Sequence, residues 1–232
     1  MIKKRKTLFT IPFAGGNRYA FKSFDRYFES EFRVYSLELS GRGNRVSEDL
    51  MSNLSEIVDD LFSQMRDNLN DEYIIYGHSM GGLLAYLLTI KIEEQNLLAP
   101  SSIIISGRAY PTMRPKQIRH NLSKDKFKET LRELNGTPKE ILEHPELFEF
   151  FESILRADFK AIESYDFKED KIVNTKISIL YGKEEKGFKK KEAKRWQEFT
   201  NVPIDFYQFD GGHFFIFDDI SKVCSTISSY ND

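Results

Sequence analysis

The chain has 232 residues, 40% of them hydrophobic and 14% aromatic, enough to bury one sizeable core. Lys and Arg number 34 against 36 Asp and Glu, a near balance that offers no bulk basic field for nucleic acid or for an anionic bilayer. Composition excludes the disordered, collagenous and membrane-spanning classes and leaves a single globular domain as the expectation.

The opening MIKKRK is basic, but TLFTIPFAGG behind it breaks at Pro12 and Gly15. It is too short and too interrupted for a secretory apolar region or a spanning helix, so a cytoplasmic protein is expected. Short apolar runs then recur at residues 7–13, 32–39, 73–77, 101–107, 176–182 and 204–209. The middle runs are near-continuous rather than alternating, as strands covered on both faces require. Between the second and third, Leu54, Ile57, Val58, Leu61, Phe62, Met65 and Leu69 repeat at helical spacing, with Asn53 and Glu56 placed as N-cap and N3. GLLAYLLTIKIEEQN supplies a second helix after the third run. Strand, helix, strand, helix in that order predicts an α/β fold with a mostly parallel sheet and helices on both faces.

Over residues 111–165 the strand signal stops and helices follow one another. SKDKFKETLREL starts from Ser123, TPKEILEH offers Thr137, Pro138 and Glu140 as cap, N1 and N3, and PELFEFFESILRADFKAIESY is long and amphipathic. This reads as a helical insertion within one 1–232 domain. The single cysteine, Cys224, shares a helical face with Ile220, Val223 and Ile227 and reads as a buried structural thiol.

Gly77-His78-Ser79-Met80-Gly81 fits G-x-S-x-G, a pattern that holds a serine hydroxyl above a strand end when a strand precedes it and a helix follows. Both flanks are present. A serine hydroxyl needs a base to take its proton and an acid to orient that base. Among the four histidines, His78 adjoins the serine, while His120 and His144 fall in the insertion with surface or packing roles. His213, in a two-glycine loop after the last strand, is the candidate base. The acid should lie between Ser79 and His213 in chain order. Glu185 is preferred, Glu184 is second, and Asp210 remains a third candidate. The oxyanion created by attack on a carbonyl calls for two backbone N–H donors, assigned to Met80 after the serine and to Ala14 in the loop IPFAGG.

At these residues the chain resembles the type II thioesterases, stand-alone α/β-hydrolases that accompany nonribosomal peptide and polyketide synthetases. The resemblance rests on PFAGG, ELSGRG, YGHSMGG, FEFFESILRADFKAIESY and QFDGGHFF, in that order through nearly the whole chain. It implies hydrolysis of acyl or aminoacyl thioesters from the phosphopantetheine arm of carrier proteins, with Ser79 as nucleophile, His213 as general base, and Ala14 and Met80 as oxyanion donors. The family usually has Asp where this chain has Glu185, whose extra methylene demands a different loop path. The insertion looks like the family's lid. Its basic residues Arg108, Arg114, Lys116, Arg119 and Lys124 suggest a docking face for acidic carrier helices.

The resemblance requires no metal and no organic cofactor, no nucleic acid or membrane partner, and a monomer is expected. Two rival readings share the residues: a carboxylesterase or lipase acting on oxygen esters, and a hydrolase fold kept as a binding scaffold with a degraded triad.

Overall fold

The computed structural model describes residues 5–115, 117–167, 171–185, 188 and 190–231. Six strands form one sheet in the order β2-β1-β3-β4-β5-β6, every pairing parallel. They are β1 (Lys6–Ile11), β2 (Phe32–Ser36), β3 (Tyr73–His78), β4 (Ser102–Ser106), β5 (Lys176–Gly182) and β6 (Asp205–Phe209). Each expected run became a strand. β3 and β4 are buried at every residue, which is why their sequences are apolar on both faces.

The helices are α1 (Asp25–Phe28), α2 (Leu54–Met65), α3 (Met80–Glu94), α4 (Lys124–Leu134), α5 (Lys139–Glu143), α6 (Pro145–Glu163), α7 (Lys190–Lys194) and α8 (Ile220–Ser228). Alternate residues of the strands feed two cores. Phe9, Ile75, Ile103, Ile105, Ile177 and Ile179 pack with α2, α3 and Trp196 on one face. Leu8, Ile74, Tyr76, Ile104 and Leu180 pack with Phe24, Phe28, Val223, Cys224 and Ile227 on the other. Burial pushes the Cys224 thiol up to about 12, which fits the inert role expected of it.

α2 begins as its sequence says: Asn53 Oδ1 accepts from the Ser55 and Glu56 amides. α5 begins later than its cap pattern implies, because Pro138 rather than Thr137 stands at the N-cap and Lys139 is the first helical residue. α4, α5 and α6 enclose a small core of their own, Phe127, Leu131, Leu142, Phe148, Leu155 and Phe159. The stretch around α7, unassigned by sequence, folds into two short turns that bury Ala193, Trp196 and Phe199.

Candidate active site

The C-terminal ends of β1, β3, β4 and β5 converge on one edge of the sheet, and the candidate residues lie in the loops that leave it. Ser79 sits between β3 and α3 with φ 54° and ψ −112°, a strained conformation for a residue carrying a Cβ. The turn that imposes it depends on its glycines. A Cβ at Gly77 would stand 2.1 Å from the Gly81 carbonyl oxygen, and one at Gly81 would stand 2.1 Å from the Ile11 carbonyl oxygen. The Ser79 N–H donates to the Ser106 carbonyl at 2.8 Å, which ties the elbow to β4.

His213 follows β6 in a loop that crosses the same edge. Its Nδ1 lies 2.6 Å from Glu185 Oε1. Glu185 is buried, and its Oε2 has no partner. Glu184 is exposed, and the Asp210 carboxylate is 91% exposed, 4.0 Å from Lys183. Among the three acids the structure therefore brings Glu185, and neither alternative, to the histidine. The ring centroids of His213 and His78 are 5.0 Å apart. Among the described residues no hydrogen bond joins the Ser79 hydroxyl to His213.

His78 is fully buried among Phe13, Phe214 and Phe215, and its Nδ1 lies 2.8 Å from Ser106 Oγ. Burial, then the adjacent His213, hold it well below the usual imidazole range, so it stays neutral. It is a wall of the site. His120 packs in the insertion with its Nδ1 2.8 Å from the buried Glu163, and His144 precedes α6.

Met80 opens α3, and Ala14 lies in the loop after β1. Among the described residues neither N–H donates a hydrogen bond outside regular secondary structure. The loop is held by two carboxylates, Asp158 and Glu38. The Gly15 N–H donates to Asp158 Oδ2 at 2.7 Å, and Asp158 also receives both terminal nitrogens of Arg42, at 2.6 and 2.8 Å. Glu38 accepts from the amides of Arg18 and Asn44 at 2.9 and 3.1 Å, stitching the loop after β1 to the loop after β2.

Glu38 and Arg42 fall in ELSGRG and Asp158 in FEFFESILRADFKAIESY, stretches in which the sequence alone assigns these residues no role. A signal existed for Asp158: a carboxylate on the buried face of α6, one helical turn from Ile154 and Leu155.

The basic residues at the start of the insertion are less available than their sequence implies. Arg114 meets Asp166 at 2.8 Å, Arg119 meets Glu163 at 3.7 Å, and Lys124 meets Glu152 at 3.8 Å. Arg108 leaves the group, since its Nε is sealed from solvent. Lys116 lies outside the described residues. Among the described residues no group of three or more His, Cys, Asp or Glu is placed to hold a metal ion, and no helix is long and apolar enough to cross a membrane.

A parallel sheet with a serine on a strained strand-to-helix elbow and a histidine–carboxylate pair at the same edge defines the α/β-hydrolase fold. The model of the thioesterase domain matches residues 6–230, so the chain belongs to the thioesterase family. It is 34% identical over 212 residues to the gramicidin S biosynthesis protein GrsT of Aneurinibacillus migulanus, covering 91% of this chain and 83% of the relative. It is 27% identical over 224 residues to the medium-chain S-acyl fatty acid synthase thioesterase of Homo sapiens, covering 93% and 82%. Among solved structures, ClbQ from the colibactin NRPS/PKS pathway superposes with a TM-score of 0.91 at 25% identity, covering 98% of this chain and 97% of that one. The type II thioesterase BorB from the borrelidin biosynthetic cluster gives 0.90 at 25%, covering 99% and 94%.

Proposed function

We propose that the chain is a type II thioesterase that hydrolyses acyl or aminoacyl groups from the phosphopantetheine thiol of carrier proteins, clearing mischarged units from a nonribosomal peptide or polyketide synthetase. The observation that carries the reading is the 2.6 Å contact between His213 and Glu185 at the sheet edge that bears the elbow serine. Family membership selects the thioester over the oxygen ester, since among the relatives named above the fatty acid synthase protein and BorB are thioesterases and GrsT is a gramicidin S biosynthesis protein.

In this mechanism Ser79 Oγ attacks the thioester carbonyl carbon while His213 Nε2 takes its proton. Glu185 holds the imidazole by Nδ1 and stabilises the imidazolium. The Ala14 and Met80 amides receive the oxyanion, each worth about 2.7–4 kcal/mol in the transition state. The C–S bond breaks, the pantetheine sulfur takes the proton from His213, and an acyl-serine remains. Water, deprotonated by the same histidine, attacks that ester and frees the acid. Serine and histidine must close to hydrogen-bond range when substrate binds, a tightening common between free enzymes and their Michaelis complexes. The scheme draws on no metal or organic cofactor, the phosphopantetheine belongs to the carrier, and the protein acts as a monomer.

The test is intact-protein mass spectrometry of carrier proteins bearing short, long and aminoacyl loads, before and after incubation. Loss of the acyl mass with return of the free thiol form supports the reading. Faster cleavage of soluble oxygen esters than of any carrier load would replace it with the esterase alternative. Failure of a fluorophosphonate to label Ser79 would leave a binding scaffold.

A further inference from the structure

Arg108 is the residue that neither the fold nor the proposed chemistry accounts for. It follows Gly107 at the end of β4, and a Cβ at Gly107 would lie 3.3 Å from His213 Cε1. On its other side, a Cβ at Gly82 would lie 3.4 Å from Arg108 Cβ, which places Arg108 over the first turn of α3, three residues beyond Ser79. Its carbonyl oxygen accepts from Trp196 Nε1 at 3.0 Å, so the side chain is presented from a fixed backbone. The Arg108 backbone thus leaves β4 beside the candidate base, with its Cβ over the helix that follows the candidate nucleophile.

Four other arginines nearby or in the insertion are matched, and Arg132 is exposed. Arg42 pairs with Asp158, Arg114 with Asp166, Arg119 with Glu163 and Arg156 with Glu152. The Arg108 side chain has no hydrogen bond or ion pair among the described residues, and its Nε is sealed from solvent without a partner. Burial, then repulsion from Arg119, pull its guanidinium down to about 10, which still leaves it charged at neutral pH. Arg108 is half-buried with its Nε sealed and unpartnered, and a fold keeps so costly a group where something brought from outside completes it.

We propose that Arg108 is a specificity-determining residue of the thioester site, whose guanidinium takes an oxygen acceptor of the substrate beside the scissile bond. The place of its Cβ over the first turn of α3 favours an acceptor near the scissile bond over the phosphate, which lies at the far end of the pantetheine arm from the sulfur. Two sources of the acceptor remain: an amide carbonyl of the arm, and a carboxylate on a short acyl chain. The carboxylate can accept from both prongs of the guanidinium fork, and the amide carbonyl accepts through its one oxygen. The proposal rests on the thioesterase reading, and its test separates the two.

Parent protein and Arg108→Met are compared by thermal melting, alone and titrated with D-pantetheine or with succinate. Alone, Arg108→Met melts at the same temperature or higher, because a sealed, unpartnered Nε–H is gone. One probe raises the melting temperature of the parent and leaves that of Arg108→Met unmoved, and that probe names the source. In kinetics on the same pair, KM rises about 10- to 100-fold for thioesters carrying that acceptor. Simple aliphatic thioesters lacking both amide and carboxylate are unaffected, and Arg108→Lys recovers part of the loss.

A fall in the melting temperature of unliganded Arg108→Met would mark a packing role and overturn the proposal. So would the absence of stabilisation of the parent by either probe, or an equal loss of kcat/KM on all three substrate classes. Should the parent bind a probe through Arg108 yet cleave no acyl thioester, the functional reading fails and the acceptor site stands.

Discussion

The sheet edge that carries the candidate site and the helical insertion are built on opposite principles. At the edge, position is set by backbone: a serine at φ 54°, glycines that let α3 approach β1 and β3, and an amide bonded across to β4. In the insertion, position is set by side chains. A core of six apolar residues holds α4, α5 and α6 together, and buried carboxylates, Asp158 and Glu163, fasten it through Arg42, His120 and the amides of Gly15 and Arg119. The contrast teaches where each kind of substitution should act. Changes at the edge alter rate with little loss of fold, and changes at the insertion's anchors alter stability first.

Replacing Ser79 by Ala is the largest blow the edge can receive. It should lower kcat by roughly 10⁴ or more while the melting temperature holds. Glu185→Gln removes the partner of His213 Nδ1 and should cost on the order of 10²–10⁴ in kcat. Glu184→Gln and Asp210→Asn, both solvent-facing, should stay within about twofold of the parent. Equal losses in all three variants would break the assignment of the acid.

At the anchors the sign of the experiment reverses. Asp158→Ala strands the buried Arg42 guanidinium and the Gly15 amide, and should destabilise the fold by about 3–5 kcal/mol. Denaturant melts read this directly, and residual activity per folded molecule should survive better than in Ser79→Ala.

The strands were legible because β3 and β4 must be apolar on both faces, and the elbow because steric crowding permits little but glycine at 77 and 81. Glu185 over Glu184 was legible only as a preference, since one residue along a loop decides which carboxylate is buried. The pairing of Arg42 with Asp158 spans 116 residues, and no local pattern carries that information. The turns around Trp196 escaped because KKKEAKRW carries mainly surface residues and too few apolar ones to show a period.

A pH titration sharpens the comparison further. His78 is depressed in the folded state, so the unfolded chain binds more protons than the native one once pH drops below about 6.5, the free imidazole value. Its contribution to stability is full above that point and is lost as pH falls toward the folded value, with a slope of at most about 1.4 kcal/mol per pH unit. His78→Gln should flatten that part of the acid limb in a stability profile. An unchanged slope would show that the imidazole is solvated.

The smallest effect is expected at the rim of the insertion. Arg114→Glu combined with Lys124→Glu should raise KM for carrier-borne thioesters by several-fold and spare small thioesters, since exposed ion pairs contribute about 0–1 kcal/mol each. An equal response of both substrates would remove the docking role.

The bond from the Gly15 amide to Asp158 joins positions 143 residues apart. During translation the first strand and its loop leave the ribosome long before the acid that will fasten them has been polymerised. The loop after β1 is therefore fastened only once α6 has emerged and docked. A polypeptide cut short before that helix would hold part of the sheet and leave the Gly15 amide without its acceptor.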